Sequence, residues 1–410
     1  MFSRRRSSSE GTKRQHVLFV VENQTLPYDR RVWAEARWAK ERGFDVTGIC
    51  PCDEISKCRY ESVEGIEILR YPRFNLPLGK WGFVLEYVHA FFWQILLSLK
   101  VYFRKPFQII HAANPPDNIF LIGILFRLLG SRFIYDIHDL SPELYMTKYP
   151  GKKGLLYNIL MFLEKLSCWY AHVIVTPNES YRDIIRKRHG TSFRKIFVVR
   201  NDPELAEFRG IHAQFPRKRT GKIRLVYVGA INAQDGVDVL VDVLARLAFE
   251  LKEENFFCTV IGNGEYLGVA REHAEKMNML NFIEFLGAIR DRKTVLEYVF
   301  GADICLEPAA DNELNSHSTF IKVMEYMAAG KPVVAFDLPE TKVSADGSGI
   351  LVPPGDVRGF AEAIRTLMHD GELRERLGKA GAERITKCLN WDNATRGLEM
   401  AYSLALRSGR

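Results

Sequence analysis

Apolar residues along this chain fall into short unbroken blocks separated by longer stretches in which they recur every three or four positions. The blocks at 16–22, 45–51, 66–71, 108–113, 132–136, 172–176 and 196–200 predict buried strands. The stretches at 31–42 and 155–170 predict amphipathic helices between them. Such alternation is the pattern of βαβ units and a doubly wound parallel sheet. A polar, basic segment at 203–222, containing PRKRTGK, interrupts it and reads as a linker. The pattern then restarts with blocks at 223–228, 256–261, 282–286, 304–307, 332–336 and 349–352. The expectation is an α/β chain of two Rossmann-like, doubly wound domains facing across a cleft. Its parts are a basic tail at 1–15, a first domain at 16–205, a linker at 206–222 and a second domain at 223–388. A final helix, at 389–410, has no strand after it and is expected to return to the first domain.

The segment SHSTFIKVMEYMAAGKPVVAFD, 316–337, joins pattern to chemistry. Phe320, Val323, Met324, Met327 and Ala328 form an apolar stripe, while Ser318, Lys322 and Glu325 fall on the opposite face of a helix predicted at 318–329. Ser318 is the candidate N-cap, and Gly330 with Pro332 the stop. A helix opening with Ser318 and Thr319 offers backbone N–H groups and a positive dipole end to a diphosphate. Lys322 adds a cation, and Glu325 can accept from both hydroxyls of a ribose. The plainer alternative is a solvated i, i+3 pair of Lys322 and Glu325 on an ordinary amphipathic helix.

Composition narrows the classes. A chain of 410 residues, 47% apolar, is long enough for two substantial cores. The net charge of +7 gathers at 4–6, 186–188 and 217–219. Such clusters suit an anionic membrane surface, acidic ligands or plain solvent, and no nucleic-acid motif accompanies them. Seven cysteines lack CxxC spacing, and Cys50, Cys52 and Cys58 have no nearby histidine, so neither a zinc site nor a disulfide framework is expected. The polar start has no apolar core of a secretory signal. The run 81–103 is the one transmembrane candidate, but Glu86, His89, Gln94 and Lys100 interrupt it. A charge at the bilayer centre costs about 2.5–3.5 kcal/mol. Val84, Leu85, Val88, Phe91, Phe92, Ile95, Leu96 and Leu99 repeat at helical spacing, so a peripheral, interfacial helix at the inner face of the plasma membrane is the expectation.

Ligands of doubly wound sheets bind beyond the carboxyl ends of strands. In the first half those loops are HAANPPD, with His111 and Asn114, and IHDLSPE, with His138 and Asp139. A neutral imidazole at His138 can bond a sugar hydroxyl or steady a leaving group, and Asp139 can orient it or cap the turn before Pro142. The first loop, NQTLPYDRR, lacks GxGxxG, which argues against NAD or FAD. Asp29, Arg30 and Arg31 open the first helix, and its arginines are candidates for an anionic acceptor or a phosphate, as are Asn114 and Arg290. In the second half, VGAINAQDG and IGNGE put Gly229, Gly262 and Gly264 at turns where backbone approaches a ligand closely. LVPPGD reads as a structural turn. No HExxH, GxSxG or Walker A sequence is present, so familiar hydrolytic chemistry has little support.

Taken together, LPYDRRVWAEARWAKERGFDV, HAANPPDNIFL, YDIHDLSPELY, VIVTPNESYR, YVGAINAQDGVDVL, VIGNGE, STFIKVMEYMAAGKPVVAFDLPET and GILVPPGD resemble the retaining GT-B nucleotide-sugar glycosyltransferases, often called glycosyl transferases group 1. The likeness is greatest to a bacterial surface-polysaccharide branch. It implies a donor cleft between two Rossmann-like domains, with Glu325 as the second glutamate of the family's E-x7-E motif, on the ribose. Ser318, Thr319 and Lys322 then face the diphosphate, and His138 lies beside the donor sugar. The first glutamate is replaced by His317, and Ala230 and Asp235 stand where relatives carry an Arg and a Lys. The implied reaction moves a sugar from a nucleoside diphosphate sugar to a saccharide or lipid-linked acceptor, with retention, no resident cofactor and no obligatory metal. The rival readings are a GT-B epimerase or phosphorylase and a non-catalytic nucleotide-sugar-binding scaffold.

Overall fold

A computed structural model of the chain describes residues 14–53, 56–73, 79–149, 151–211 and 221–407, the side chains of 79–84 and 148 excepted. Most of the basic tail, the clusters at 4–6 and 217–219, much of the linker and the last three residues lie outside the described residues.

Two sheets account for the strand pattern. The first contains β1 (His16–Val20), β2 (Asp45–Pro51), β3 (Tyr60–Val63), β4 (Ile66–Tyr71), β5 (Ile109–Ala113), β6 (Arg132–Asp136), β7 (Val173–Thr176) and β8 (Ile196–Val198), in the order β3-β4-β2-β1-β5-β6-β7-β8. The second contains β9 (Ile223–Val228), β10 (Phe256–Ile261), β11 (Ile283–Gly287), β12 (Ile304–Glu307), β13 (Val333–Phe336) and β14 (Gly349–Val352), in the order β11-β10-β9-β12-β13-β14. All pairings are parallel except β3 with β4. β3 escapes the apolar pattern because YESV is polar and largely exposed; a tight turn at Glu64-Gly65, both at positive φ, folds it onto β4. Central strands such as HVLFV and FFCTVI are buried on both faces, as parallel sheets covered by helices require.

On one face of the first sheet lie the helices Gly79–Arg104, Phe120–Arg127 and Leu155–Tyr170, which share a core with Ile110, Phe126 and Tyr135. On the other face the helices Arg30–Glu41 and Trp391–Arg407 enclose Trp38, Phe19 and Leu398. Trp391–Arg407 therefore packs on the first sheet although it follows the second in sequence, and Gly397 lets its backbone lie against Val198, where a Cβ would meet the carbonyl at 2.2 Å. The second sheet is flanked by Val237–Ala245 and Val357–His369 on one side and by Ile321–Ala328 on the other. Among the described residues no helix is long and apolar enough to cross a membrane. The 26-residue helix Gly79–Arg104 instead packs one side inward, burying Gln94 and Ser98, and leaves Val88 and Phe92 exposed.

Candidate functional site

The carboxyl ends of the two sheets meet at a cleft, and each sheet delivers a buried carboxylate there as the last residue of a strand: Asp136 closes β6 and Glu307 closes β12. In sequence each is only an acid that ends an apolar block, as many turn caps are. The loop residues His138 and Asp139, singled out by sequence, lie two and three positions beyond Asp136.

Asp136 is the centre of the first-domain site. Arg31 grips it through Nη2 at 2.7 Å and Nε at 3.0 Å, and also donates to the Val199 carbonyl at 2.7 Å. His138 Nε2 donates to Asp136 Oδ2 at 2.7 Å. Burial disfavours a charged imidazole, but the Asp136 carboxylate outweighs it and lifts the His138 pKa above the usual histidine value. Burial likewise opposes ionisation of Asp136, yet Arg31 and His138 hold it well below the usual carboxylate range. Behind them, Glu35 and His111 complete a buried set in which the acid and imidazole atoms of Glu35, His111 and Asp136 lie within 4.8 Å of one another. Arg31 supplies positive charge to that set, so its geometry is that of a compensated ion cluster. Burial first, then Asp136, pushes the Glu35 carboxyl well above its ordinary value, against the opposing pull of Arg31. His111 belongs to β5, not to a loop, and shares a 2.9 Å hydrogen bond with Tyr402 of the last helix.

Two first-domain expectations change. Arg31 is buried in the Asp136 cluster instead of lying open to an acceptor. Asn114 is buried and clamps the loop, accepting from the His138 N–H at 2.7 Å and donating to the Asp139 carbonyl at 2.8 Å. Its amide is thereby engaged in holding His138 in place. Asp139 lies beside His138 with a carboxyl raised by burial.

In the second domain Glu325 is buried on the helix Ile321–Ala328 and is met by two arginines. Arg292, at the start of the helix Arg292–Gly301, forks onto it at 2.7 and 3.2 Å. Arg30, at the start of the first helix of the other domain, donates to the same Oε1. Glu207 joins both guanidinium groups, at 3.5 Å from Arg30 and 3.3 Å from Arg292. Burial opposes ionisation of Glu325, but the two arginines outweigh it and hold its pKa below the usual value. The solvated Lys322–Glu325 pair is therefore not formed. Beside the two arginines opens a cavity of about 440 Å³ lined by Tyr28, Arg30, the edge of Arg31, Arg37, Asp202, Glu204, Glu207, Arg290, Arg292 and Trp391. Arg290, a candidate phosphate contact, is among the residues lining this cavity. Arg292, two positions on, was missed because a basic residue opening a helix has no distinguishing pattern.

The start of the helix differs from the expectation. Asn315–His317 forms a 3-10 turn, Ser318 is extended, and the helix begins at Ile321 with Phe320 as an N-cap lacking a side-chain bond. Ser318 therefore does not cap; its hydroxyl donates to the Leu314 carbonyl at 2.8 Å and lies 3.1 Å from the Tyr181 hydroxyl of the other domain. Thr319 sits in the same seam, accepting from Asn178 at 3.0 Å and donating to the buried Glu340 at 3.2 Å. Lys322 is buried against Glu307 at 2.9 Å and Tyr227 at 3.0 Å. Burial opposes its charge but Glu307 outweighs that and keeps it protonated. Its charge is therefore paired within the protein.

The glycine turns also serve the protein's own backbone. Gly262, at φ +152°, passes so close to Gly229 that a Cβ would fall 1.7 Å from its carbonyl oxygen, and a Cβ on Gly264 would fall 2.2 Å from that of Ile231. Gly229 in turn leaves room for Lys322, whose Nζ would lie 2.9 Å from an added Cβ. Asp235, in the place of the expected cation, caps its own turn by accepting from the Asn232 N–H at 2.9 Å.

Residues 209–384 match the family described as glycosyl transferases group 1, and residues 28–202 match the glycosyl transferase 4-like domain. Glycogen synthase of Mycobacterium tuberculosis is 26% identical over 240 residues, 58% of this chain and 55% of that protein. The chain spans about half the length of the curated relatives it matches. Sucrose-phosphate synthase from Thermosynechococcus elongatus superposes with a TM-score of 0.75 at 17% identity, over 96% of this chain and 100% of that one. Anabaena HepE in complex with UDP-glucose gives a TM-score of 0.71 at 14% identity, over 96% and 99%. These likenesses identify the two-sheet architecture as the GT-B fold.

Proposed function

The chain belongs to the glycosyl transferases group 1 family, and from that premise we propose that it transfers a sugar from a nucleoside diphosphate sugar to a saccharide or lipid-linked hydroxyl in cell-surface polysaccharide synthesis, with retention at the anomeric carbon. The observation that carries this reading is Glu325, ionised and buried behind Arg30 and Arg292, which line the interdomain cavity. An ionised carboxylate has about four acceptor positions. The arginines use three of them, so a ribose diol gains its two bonds by displacing one. Arg30, half exposed and from the opposite domain, is the one held least. Once released, its guanidinium is a cation beside the departing diphosphate, with Arg290 and Arg292 on the same cavity. This trio takes the place of the missing Arg/Lys pair. His138, its imidazole held by Asp136, donates to the donor sugar or the leaving phosphate from the first domain. Front-face attack, with the leaving phosphate taking the acceptor proton, needs no enzymic nucleophile and no resident metal.

The second reading, a nucleotide-sugar-binding scaffold without turnover, draws on Lys322, which Glu307 neutralises. Titration calorimetry of the full chain with UDP, GDP, ADP and dTDP, with and without magnesium, separates the cases. Binding of one nucleotide, weakened about tenfold or more in Glu325→Ala, is expected. Binding of none by folded protein removes the transferase reading. Binding without sugar transfer or donor hydrolysis favours the scaffold.

A further inference from the structure

The three helices on the outer face of the first sheet carry more exposed apolar side chain than packing explains. On Gly79–Arg104 the exposed residues Leu85, Val88, Phe92, Leu96 and Phe103 fall at i, i+3, i+7, i+11 and i+18, one narrow outward stripe. On Leu155–Tyr170 a second stripe holds Leu155, Ile159, Phe162 and Trp169, the last 69% exposed. Leu121 and Leu128 belong to the helix Phe120–Arg127 between them and the turn that ends it. The helices lie side by side: all three cover one core, Tyr102 donates to the Leu129 carbonyl at 2.9 Å, and Phe120 stacks on Tyr170. The stripes are thus parts of one surface.

Charge decides what covers it. Lys100, Arg127, Lys152, Lys153 and Lys165 are exposed on these helices and the turn leading into the last. The acids of the same helices are Glu86 and Glu164. Glu164 is buried under Arg188 and His189 at 2.9 and 2.6 Å, and Glu86 is turned toward Arg73 at 3.9 Å. Two copies of such a face would oppose like charges. An anionic lipid surface matches both the apolar stripes and the basic residues among them.

We infer that this three-helix face docks the protein on an anionic bilayer, with Phe92, Phe162 and Trp169 at the acyl boundary and the lysines on the headgroups. The helices Gly79–Arg104 and Phe120–Arg127 follow β4 and β5, and Leu155–Tyr170 runs directly into β7, so the N-terminal end of each lies toward the cleft. Docking therefore sets the cleft mouth at headgroup level, where a lipid-linked hydroxyl reaches it. The acceptor class rests on the transferase reading above; the docking face does not.

The test is co-sedimentation of the full chain with phosphatidylcholine vesicles, with and without phosphatidylglycerol, alongside Phe92→Glu/Trp169→Glu. Both positions are exposed, and unchanged nucleotide binding and circular dichroism establish that the variant is folded. Expected is partition onto the phosphatidylglycerol vesicles, reduced by salt, and roughly tenfold or more weaker in the variant. No partition of wild type, or equal partition of the variant, overturns the inference. So does a dimer in the ultracentrifuge that the variant abolishes, which would assign the face to a second copy. Wild type that binds nucleotide but no vesicles overturns the docking face alone, and wild type that binds vesicles but no nucleotide overturns the transferase reading alone.

Discussion

His138 binds its proton more tightly than a free imidazole because Asp136 faces it and Arg31 fixes Asp136, and each link can be broken separately. Its folded-state pKa is raised above about 6.5. The stabilisation from its charged form is therefore complete below that value and is lost as pH rises through the raised folded value. Donor affinity is expected to decline over the same window above 6.5. Asp136→Asn should return the His138 titration toward or below 6.5, seen in its imidazole NMR shifts, and should displace the pH profile of donor binding to lower pH. An unmoved titration would show that Asp136 does not set the proton. The same variant strands a buried guanidinium, so a stability loss of about 3–5 kcal/mol in urea unfolding accompanies it. His138 was legible in the sequence as a histidine just past a buried strand. Asp136 and Glu307 were not, because a carboxylate ending an apolar block is indistinguishable in sequence from a turn cap. Only the fold brings Arg31 to one of them and Lys322 to the other.

Elements were far more legible than their polar ends. Parallel strands buried on both faces announce themselves as apolar runs, and thirteen of the fourteen strands coincide with such runs. The exception, β3, is an exposed edge held by a turn. The helix at Glu325 was placed correctly in its middle, where periodicity operates, and begins later than expected because Ser318 and Thr319 have partners in the other domain. A pattern read along one domain carries no trace of such partners. The glycine turns lead to a prediction of the same kind. Gly262→Ala forces a Cβ into the Gly229 carbonyl and should cost about 1–3 kcal/mol or more in urea unfolding. Gly268→Ala, in the helix Leu267–Lys276 with open space around it, should be neutral or stabilising by about 0.4–1 kcal/mol. Equal effects at the two positions would show that the β9–β10 turns do not depend on this close approach.

At the scale of the whole molecule, two polar clusters join the domains across the cleft. In one, Arg30 of the first domain meets Glu325, which Arg292 also holds. In the other, Glu340 accepts from Ser180 at 2.5 Å, from Arg200 at 3.2 Å and from Thr319 at 3.2 Å, while Asn178 donates to the His317 carbonyl at 2.8 Å. The first cluster uses the carboxylate that the donor reading requires, so donor entry and domain closure compete for Glu325. The second uses no group assigned to the donor's ribose and can persist while the first exchanges. Arg30→Ala alone should therefore loosen the cleft partway, whereas Arg30→Ala/Glu340→Ala should open it. Small-angle X-ray scattering would register a radius of gyration that rises in that order. Glu325 has a folded-state pKa below 4.5. Its ion pairs are thus complete above about 4.5 and fail as pH falls through the lowered value, so acid should expand wild type in the same sense. Identical scattering from wild type and the double variant would assign closure to apolar contact between the domains and leave Arg30 as a cleft cation only.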